Sequence, residues 1–266
     1  AYTGMHFMTS NPRLTFIIPA YLKSIDDKNI LVETIRKILT ICQDVVVISQ
    51  GINPQLHHEN IRSFHSQYSL GKWGAIEKAK GFMLQEFVFI HDGDNPFKEE
   101  SYKKISKFQR NTFIKRNEII LYAKDEVSRE SRKYVELFIN KYNNEAQGES
   151  LDVQSGGVIL EREIFQELNF SSFGDYGGEL AIYNYLIKHN ILIDSINMEV
   201  EIDIFRQKSN YTIESILKSV IHTPLSLTRV LEILKMCMHD YDEYIESNDQ
   251  FEIEILYFLK KYNLIF

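Results

Sequence analysis

Three short apolar runs constrain this chain more than any other feature: Leu14-Thr15-Phe16-Ile17-Ile18, Asp44-Val45-Val46-Val47-Ile48 and Phe87-Val88-Phe89-Ile90. β-Branched and aromatic residues dominate each run, and each is closed by loop-forming residues. Pro19 follows the first, Ser49-Gln50-Gly51-Ile52-Asn53-Pro54 the second and His91-Asp92-Gly93-Asp94-Asn95-Pro96 the third. Runs of this kind predict strands covered on both faces. Between them the period changes to that of helices. Leu31, Ile35, Ile38, Leu39 and Cys42 fall on one face from Asn29 onward, with Glu33, Arg36 and Lys37 on the other, and a second helical segment covers about 72–83. Strand and helix in alternation predict an α/β fold with a mainly parallel, Rossmann-like sheet flanked by helices.

The pattern resumes after a charged, helix-rich stretch at 98–150, in which 118–121 reads as a strand and 130–142 as a helix. A strand at 153–160 leads to a helix at 161–168, a Gly-rich loop at 173–178, a helix at 179–188 and strands at 191–194 and 198–205. Beyond residue 210 the period is helical throughout. The expected organisation is a flexible segment at 1–11, one domain at 12–210 and a C-terminal helical subdomain at 211–266. The amphipathic stripes of that subdomain suit completion of the core, with pairing to a second copy or contact with a membrane surface as other uses.

Charge and composition remove several classes of function. The 30 Lys and Arg against 37 Asp and Glu leave a net charge of −7, which argues against nucleic acid as a partner, because that affinity rests on many contacts from basic residues to phosphate. Cys42 and Cys237 sit in apolar helical patterns, so they read as buried thiols in a reducing compartment. No run approaches the roughly 18 apolar residues of a membrane span, and the start Ala1-Tyr2-Thr3-Gly4 lacks the features of a signal peptide. A cytoplasmic protein is expected, with the inner face of the membrane as a place of work if its acceptor is lipid-linked.

The chemistry centres on Asp92-Gly93-Asp94. It directly follows a buried strand, and in open parallel sheets ligands bind beyond the carboxyl ends of the strands. Two carboxylates flanking a glycine suit Mg²⁺ or Mn²⁺ gripping a diphosphate, since such ions take one or two carboxylates plus substrate phosphates. A solvated turn is the plain alternative for this tripeptide taken alone.

Three segments in order resemble the GT-A glycosyltransferases, particularly the inverting family 2 enzymes that use nucleotide sugars. They are Ile18-Pro19-Ala20-Tyr21, the segment Leu70-Gly71-Lys72-Trp73-Gly74-Ala75-Ile76-Glu77-Lys78-Ala79-Lys80-Gly81, and the strand ending in His91-Asp92-Gly93-Asp94. The resemblance spans about residues 13–210. It implies a donor pocket bordered by Pro19, Ala20 and Tyr21, with the Tyr21 ring packing on the base and Lys72 near the donor. It implies a metal held by Asp94, with Asp92 nearby and Asp203 within reach, and Arg206 neutralising the leaving diphosphate. Gly156 and Gly157 would line the donor sugar, and Glu179, with Asp175 as fallback, would be the general base. The same resemblance implies sugar transfer to a hydroxyl acceptor, a glycan or lipid-linked saccharide of bacterial surface polysaccharide synthesis. A structural role at the helix start is the counterpart reading for Glu179, and a solvated helix face is that for Lys72.

Two departures from the family pattern stand out. The second strand ends in Ser49-Gln50-Gly51 where the family carries aspartates, so Gln50 is left to read the base through its amide. Glu179 stands alone where two acids are usual, which leaves a retaining mechanism open. Two rivals follow. One is a non-catalytic nucleotide-sugar-binding scaffold of the same fold. The other is a sugar-phosphate nucleotidyltransferase, ranked lower because Pro19-Ala20-Tyr21-Leu22-Lys23 has no glycine with which to cradle a triphosphate.

Overall fold

The computed structural model describes residues 13–94, 97–116, 155–173 and 178–201, all within one compact unit. Several expectations lie outside these residues: the segment 1–11, the strand at 118–121, the helix at 130–142, residues 202–205, the subdomain at 211–266, Cys237, Asp175, Asp203 and Arg206.

Among the described residues seven strands form one sheet. They are β1 (Leu14–Leu22), β2 (Val45–Gly51), β3 (Ile61–Ser66), β4 (Phe87–His91), β5 (Thr112–Arg116), β6 (Gly157–Glu161) and β7 (Asp194–Met198). Their order is β3-β2-β1-β4-β6-β5-β7. Every neighbouring pair is parallel except those made by β6, which runs antiparallel to β4 and β5. Helices α1 (Ile25–Leu39), α2 (Gly71–Ala79), α3 (Glu99–Tyr102), α4 (Arg162–Glu167) and α5 (Gly178–Lys188) flank it. The mainly parallel α/β architecture expected from the apolar runs is present.

Alternate side chains of the central strands feed two cores. Ile17, Val46, Ile48, Val88 and Ile90 pack with Trp73, Ile76, Phe165 and Leu180. Phe16, Ile18, Val45, Val47, Phe87 and Phe89 pack with Leu31, Ile35, Ile38, Phe97 and Tyr102 on the other face. Burial on both faces is why these runs carry no polar alternation. The one cysteine described, Cys42, is a buried free thiol as expected, but it lies in the connection after α1 rather than in the helix.

Several bounds differ from the sequence reading for identifiable reasons. Helix α1 begins earlier than Asn29 because Ser24 and Asp27 form a capping box, each side chain accepting from the other's backbone N–H. Lys37, assigned by period to the solvent face, is instead buried. Its ammonium donates to the Phe97 carbonyl at 3.2 Å and pairs with Glu201. Strand β1 runs past Pro19 to Leu22. Phe16 N–H donates to Asp44 of the β2 side, so Pro19, three residues on, turns toward β4, where pairing has already ended at Ile17. The missing N–H therefore costs no ladder bond. Strand β3 escaped the sequence reading because it is a half-exposed edge with no apolar run. One strand at 194–198 takes the place of the expected 191–194, and the next segment returns as a bridge between Phe97 and Val200.

Candidate active site

The carboxyl ends of β1, β2 and β4 point the same way because these strands are parallel, so Tyr21, Gln50 and Asp92 emerge at one edge of the sheet. Where β4 stops, the turn Asp92-Gly93-Asp94 crosses the end of β1. A Cβ at Gly93 would meet Leu31, Ile18 and Ala20 at 3.2, 3.3 and 3.4 Å, so the turn lies directly on the core. Asp92 N–H is fixed by the carbonyl of Gly156 at 3.1 Å. Asp94 is exposed at the end of the turn.

Lys72, second in α2, is the node of the site. Its ammonium lies 2.7 Å from Asp92 Oδ1, pairs with Glu179 Oε1 and sits 5.1 Å from the Trp73 ring centre. The end of β4 and the starts of α2 and α5 are thereby joined through one cation. Glu179 is brought there by α5, whose first residue, Gly178, lies flat against Trp73; a Cβ there would collide with the indole. Trp73 also stacks with Phe170 and meets Phe173 edge-on. A Gly178→Ala variant is expected to lose about 1–3 kcal/mol by overpacking, seen as a lower thermal midpoint with altered Trp73 fluorescence. An unchanged midpoint would show that α5 can shift freely.

The electrostatics are unbalanced. Partial burial pushes the Asp92 carboxyl up, Lys72 pulls it down, and the charges of Asp94 and Glu179 raise it again, to about 6 from 3.8. Burial opposes the Lys72 ammonium, but Asp92 and Glu179 outweigh it and hold its pKa above the ordinary lysine range. An acid raised in the folded state contributes stability that is full below about pH 4 and lost as pH rises through about 6. Without divalent ions, Asp92→Asn should therefore gain stability relative to the native chain between pH 4 and 6, measured as urea midpoints. A difference that does not vary with pH contradicts this.

The structure gathers some of the sequence candidates and gives others a different task. Lys72, Asp92 and Glu179 meet, with Asp94 close enough for its charge to act on Asp92. Of the first-strand residues, Pro19 is buried, Ala20 is buried under Gly93, and only Tyr21 presents a face, at 55% exposure with Lys23 over its ring. Gln50 is buried; its Oε1 accepts from Leu70 N–H and its Nε2 donates to the Gly71 carbonyl at 3.3 Å. That amide ties β2 to the start of α2. Gly156 has φ +77° and a Cβ there would strike the Asp92 carboxylate, while a Cβ at Gly157 would meet Ile114 at 2.8 Å and Phe89 at 3.1 Å. The small size of this pair is thus used for Asp92 and the core. Trp73, Gly178 and His91 were not singled out from the sequence. The single tryptophan of the chain, next to a lysine in a Gly-flanked helix start, was the available signal for the first.

Three carboxylates against one ammonium leave an excess of two negative charges around Lys72. Among the described residues no group of three or more His, Cys, Asp or Glu could hold a metal alone. A hard divalent ion completed by phosphate oxygens needs only one or two carboxylates, so exposed Asp94 and partly exposed Asp92 fit one in charge and chemistry.

No protein-family model matches the chain, and no curated protein matches it in sequence. Solved structures do. Glucosyl-3-phosphoglycerate synthase from Mycobacterium tuberculosis, in complex with Mn²⁺, UDP-glucose and phosphoglyceric acid, is similar with a TM-score of 0.55 and 12% identity, over 85% of this chain and 80% of that one. The same enzyme with Mn²⁺ and UDP-glucose gives 0.52 and 12%, over 77% and 74%. A mycobacterial protein gives 0.52 and 14%, over 85% and 75%. At these identities the likeness shows the fold, and that fold is the GT-A glycosyltransferase fold.

Proposed function

We propose that this chain is a metal-dependent glycosyltransferase that moves a sugar from a nucleotide-diphosphate sugar to a hydroxyl acceptor. The observation that supports it best is the meeting of Lys72, Asp92 and Glu179, beside Asp94, at the carboxyl edge of a GT-A sheet. The similar structures that hold Mn²⁺ and UDP-glucose agree with that reading.

In this account Asp94 and Asp92 hold Mn²⁺ or Mg²⁺, which when bound offsets charge on the donor diphosphate and the departing nucleotide. The exposed Tyr21 ring packs on the base. Lys72 turns its ammonium to a diphosphate oxygen. In the donor-free protein Glu179 shares that ammonium with Asp92, so its carboxylate is engaged. A diphosphate competing for Lys72 frees Glu179 to take the acceptor hydroxyl proton, a contribution of about 10²–10⁴ in rate. Asp203 and Arg206, which lie outside the described residues, are assigned to the ion and to the leaving diphosphate on the family resemblance alone.

The Gln50 amide, engaged with the start of α2, leaves base recognition to Tyr21 and backbone groups, so strict uridine selectivity is not expected. Acceptors to test are a saccharide or lipid-linked saccharide, as in surface polysaccharide synthesis at the cytoplasmic face, and small phosphorylated hydroxy compounds. Phosphoglyceric acid and glycerol 3-phosphate accompany UDP-glucose in the similar structures. Among the described residues no helix is long and apolar enough to cross a membrane.

The test is turnover of a panel of nucleotide sugars with Mn²⁺, with and without these acceptors. Acceptor-stimulated release of nucleoside diphosphate supports transfer, and an inverted anomer in the product supports the family 2 mechanism. Binding without release would leave a scaffold, and pyrophosphate formation from sugar phosphate and a nucleoside triphosphate would mean a nucleotidyltransferase.

A further inference from the structure

His91, the last residue of β4, is wholly buried beside Phe16, Phe89, Phe97 and Tyr102. Its Nδ1 lies 2.7 Å from the carbonyl oxygen of Asp92 and its Nε2 lies 2.9 Å from the Tyr102 hydroxyl. A carbonyl can only accept, so Nδ1 carries the hydrogen; Nε2 of the neutral ring then accepts from the Tyr102 O–H. The carbonyl thus fixes the hydrogen on Nδ1, while the hydroxyl, able to donate or accept, follows the ring.

The bond to Asp92 has a specific consequence. Asp92 N–H is already held by the Gly156 carbonyl, and His91 holds the carbonyl on the other side of the same residue. The peptide plane leading into Gly93 is pinned, and with it the direction in which the chain delivers Asp94. Gly93 has the backbone freedom to leave that plane in many directions. An apolar residue at 91 would fill the same aromatic nest and leave the plane free.

We propose that His91, oriented by Tyr102, is a positioning residue for the acid turn, fixing the backbone that presents Asp94 and Asp92 to a divalent ion. The part concerning the ion rests on the glycosyltransferase reading; the hold on the Asp92 peptide does not. Partners that orient metal ligands typically change affinity or activity by about 10–100-fold when removed.

The experiment compares the full-length native chain with His91→Leu, His91→Asn and Tyr102→Phe. Asparagine keeps a donor at the place of Nδ1 but loses the reach to Tyr102. Hydrogen exchange is measured without metal at the Gly93 amide, whose N–H shares the peptide plane of the Asp92 carbonyl, and at the Asp92 amide; the Mn²⁺ concentration for half-maximal change in Trp73 fluorescence is measured with UDP-glucose present, and thermal midpoints are recorded. The leucine variant is expected to exchange faster in the acid turn, at Gly93 above all, and to need about 10–100-fold more Mn²⁺. The asparagine variant should recover most of both while melting as low as the leucine variant, and Tyr102→Phe should fall between. If asparagine and leucine behave alike in exchange and in Mn²⁺ response, His91 is only a packing residue and the proposal is overturned. Should the native chain show no Mn²⁺ response with any nucleotide sugar, the functional reading fails. Recovery of slow exchange by asparagine alone then upholds the hold on the turn, and its absence overturns it.

Discussion

Asp94→Asn is expected to lower metal-dependent donor turnover by about 10²–10³-fold while leaving the fold intact. The amide is nearly the same size and the side chain is exposed at the end of its turn, so stability should move by no more than about 0.5 kcal/mol. The loss falls on charge. An ion that offsets several kcal/mol of developing negative charge on a leaving diphosphate, at about 1.4 kcal/mol per factor of ten, accounts for the stated range. Removing the Asp94 charge also removes one of the influences that raise the Asp92 carboxyl, so Asp92 should ionise at lower pH in the variant. Full activity of Asp94→Asn would remove the ion from this turn.

Lys72→Met carries the second large effect, divided between stability and function. Methionine fills the stem of the lysine against Trp73 but leaves Asp92 and Glu179, whose side chains are 31% and 19% exposed, without their shared cation. Breaking a fully buried pair by removing one partner costs about 3–5 kcal/mol; partial exposure here reduces that to about 2–4 kcal/mol. Because the residual acids repel, added Mn²⁺ should restore more stability to this variant than to the native chain. Donor turnover should fall even where Mn²⁺ restores the fold, since a diphosphate oxygen has lost its ammonium. A variant as stable and as active as the native chain would show Lys72 to be an ordinary surface lysine.

The central strands and the acid turn were legible because their physical causes are local. Apolar runs of β-branched residues mark strands covered on both faces, and an acidic pair after such a strand marks the ligand edge of a parallel sheet. The edge strand β3 was hidden because its residues need to please only one neighbour. Lys37 was misassigned because helical period says which side faces the sheet and not what else covers the helix; the Phe97 carbonyl and Glu201 take its ammonium. Lys72 and Glu179 were each read separately, as donor contact and as base. Their ion pair joins residues 107 positions apart, a relation no local pattern contains. The glycines at 156 and 157 were legible as places where a side chain cannot fit, but the neighbour they admit is the Asp92 carboxylate and the Ile114–Phe89 core. His91 was passed over because a histidine at a strand end carries no pattern of its own; only the fold shows that both its nitrogens are engaged.

Trp73 is the only tryptophan in the chain and packs beside both Lys72 and Gly178, so its fluorescence reports on the site without a label. The native chain and Asp94→Asn are titrated with UDP-glucose and other nucleotide sugars, with and without Mn²⁺. A saturable fluorescence change that requires Mn²⁺ in the native chain and disappears in the variant is the predicted result. No response to any donor in any metal, or the same response in both proteins, would contradict the assignment of this cluster to a metal-bound nucleotide sugar.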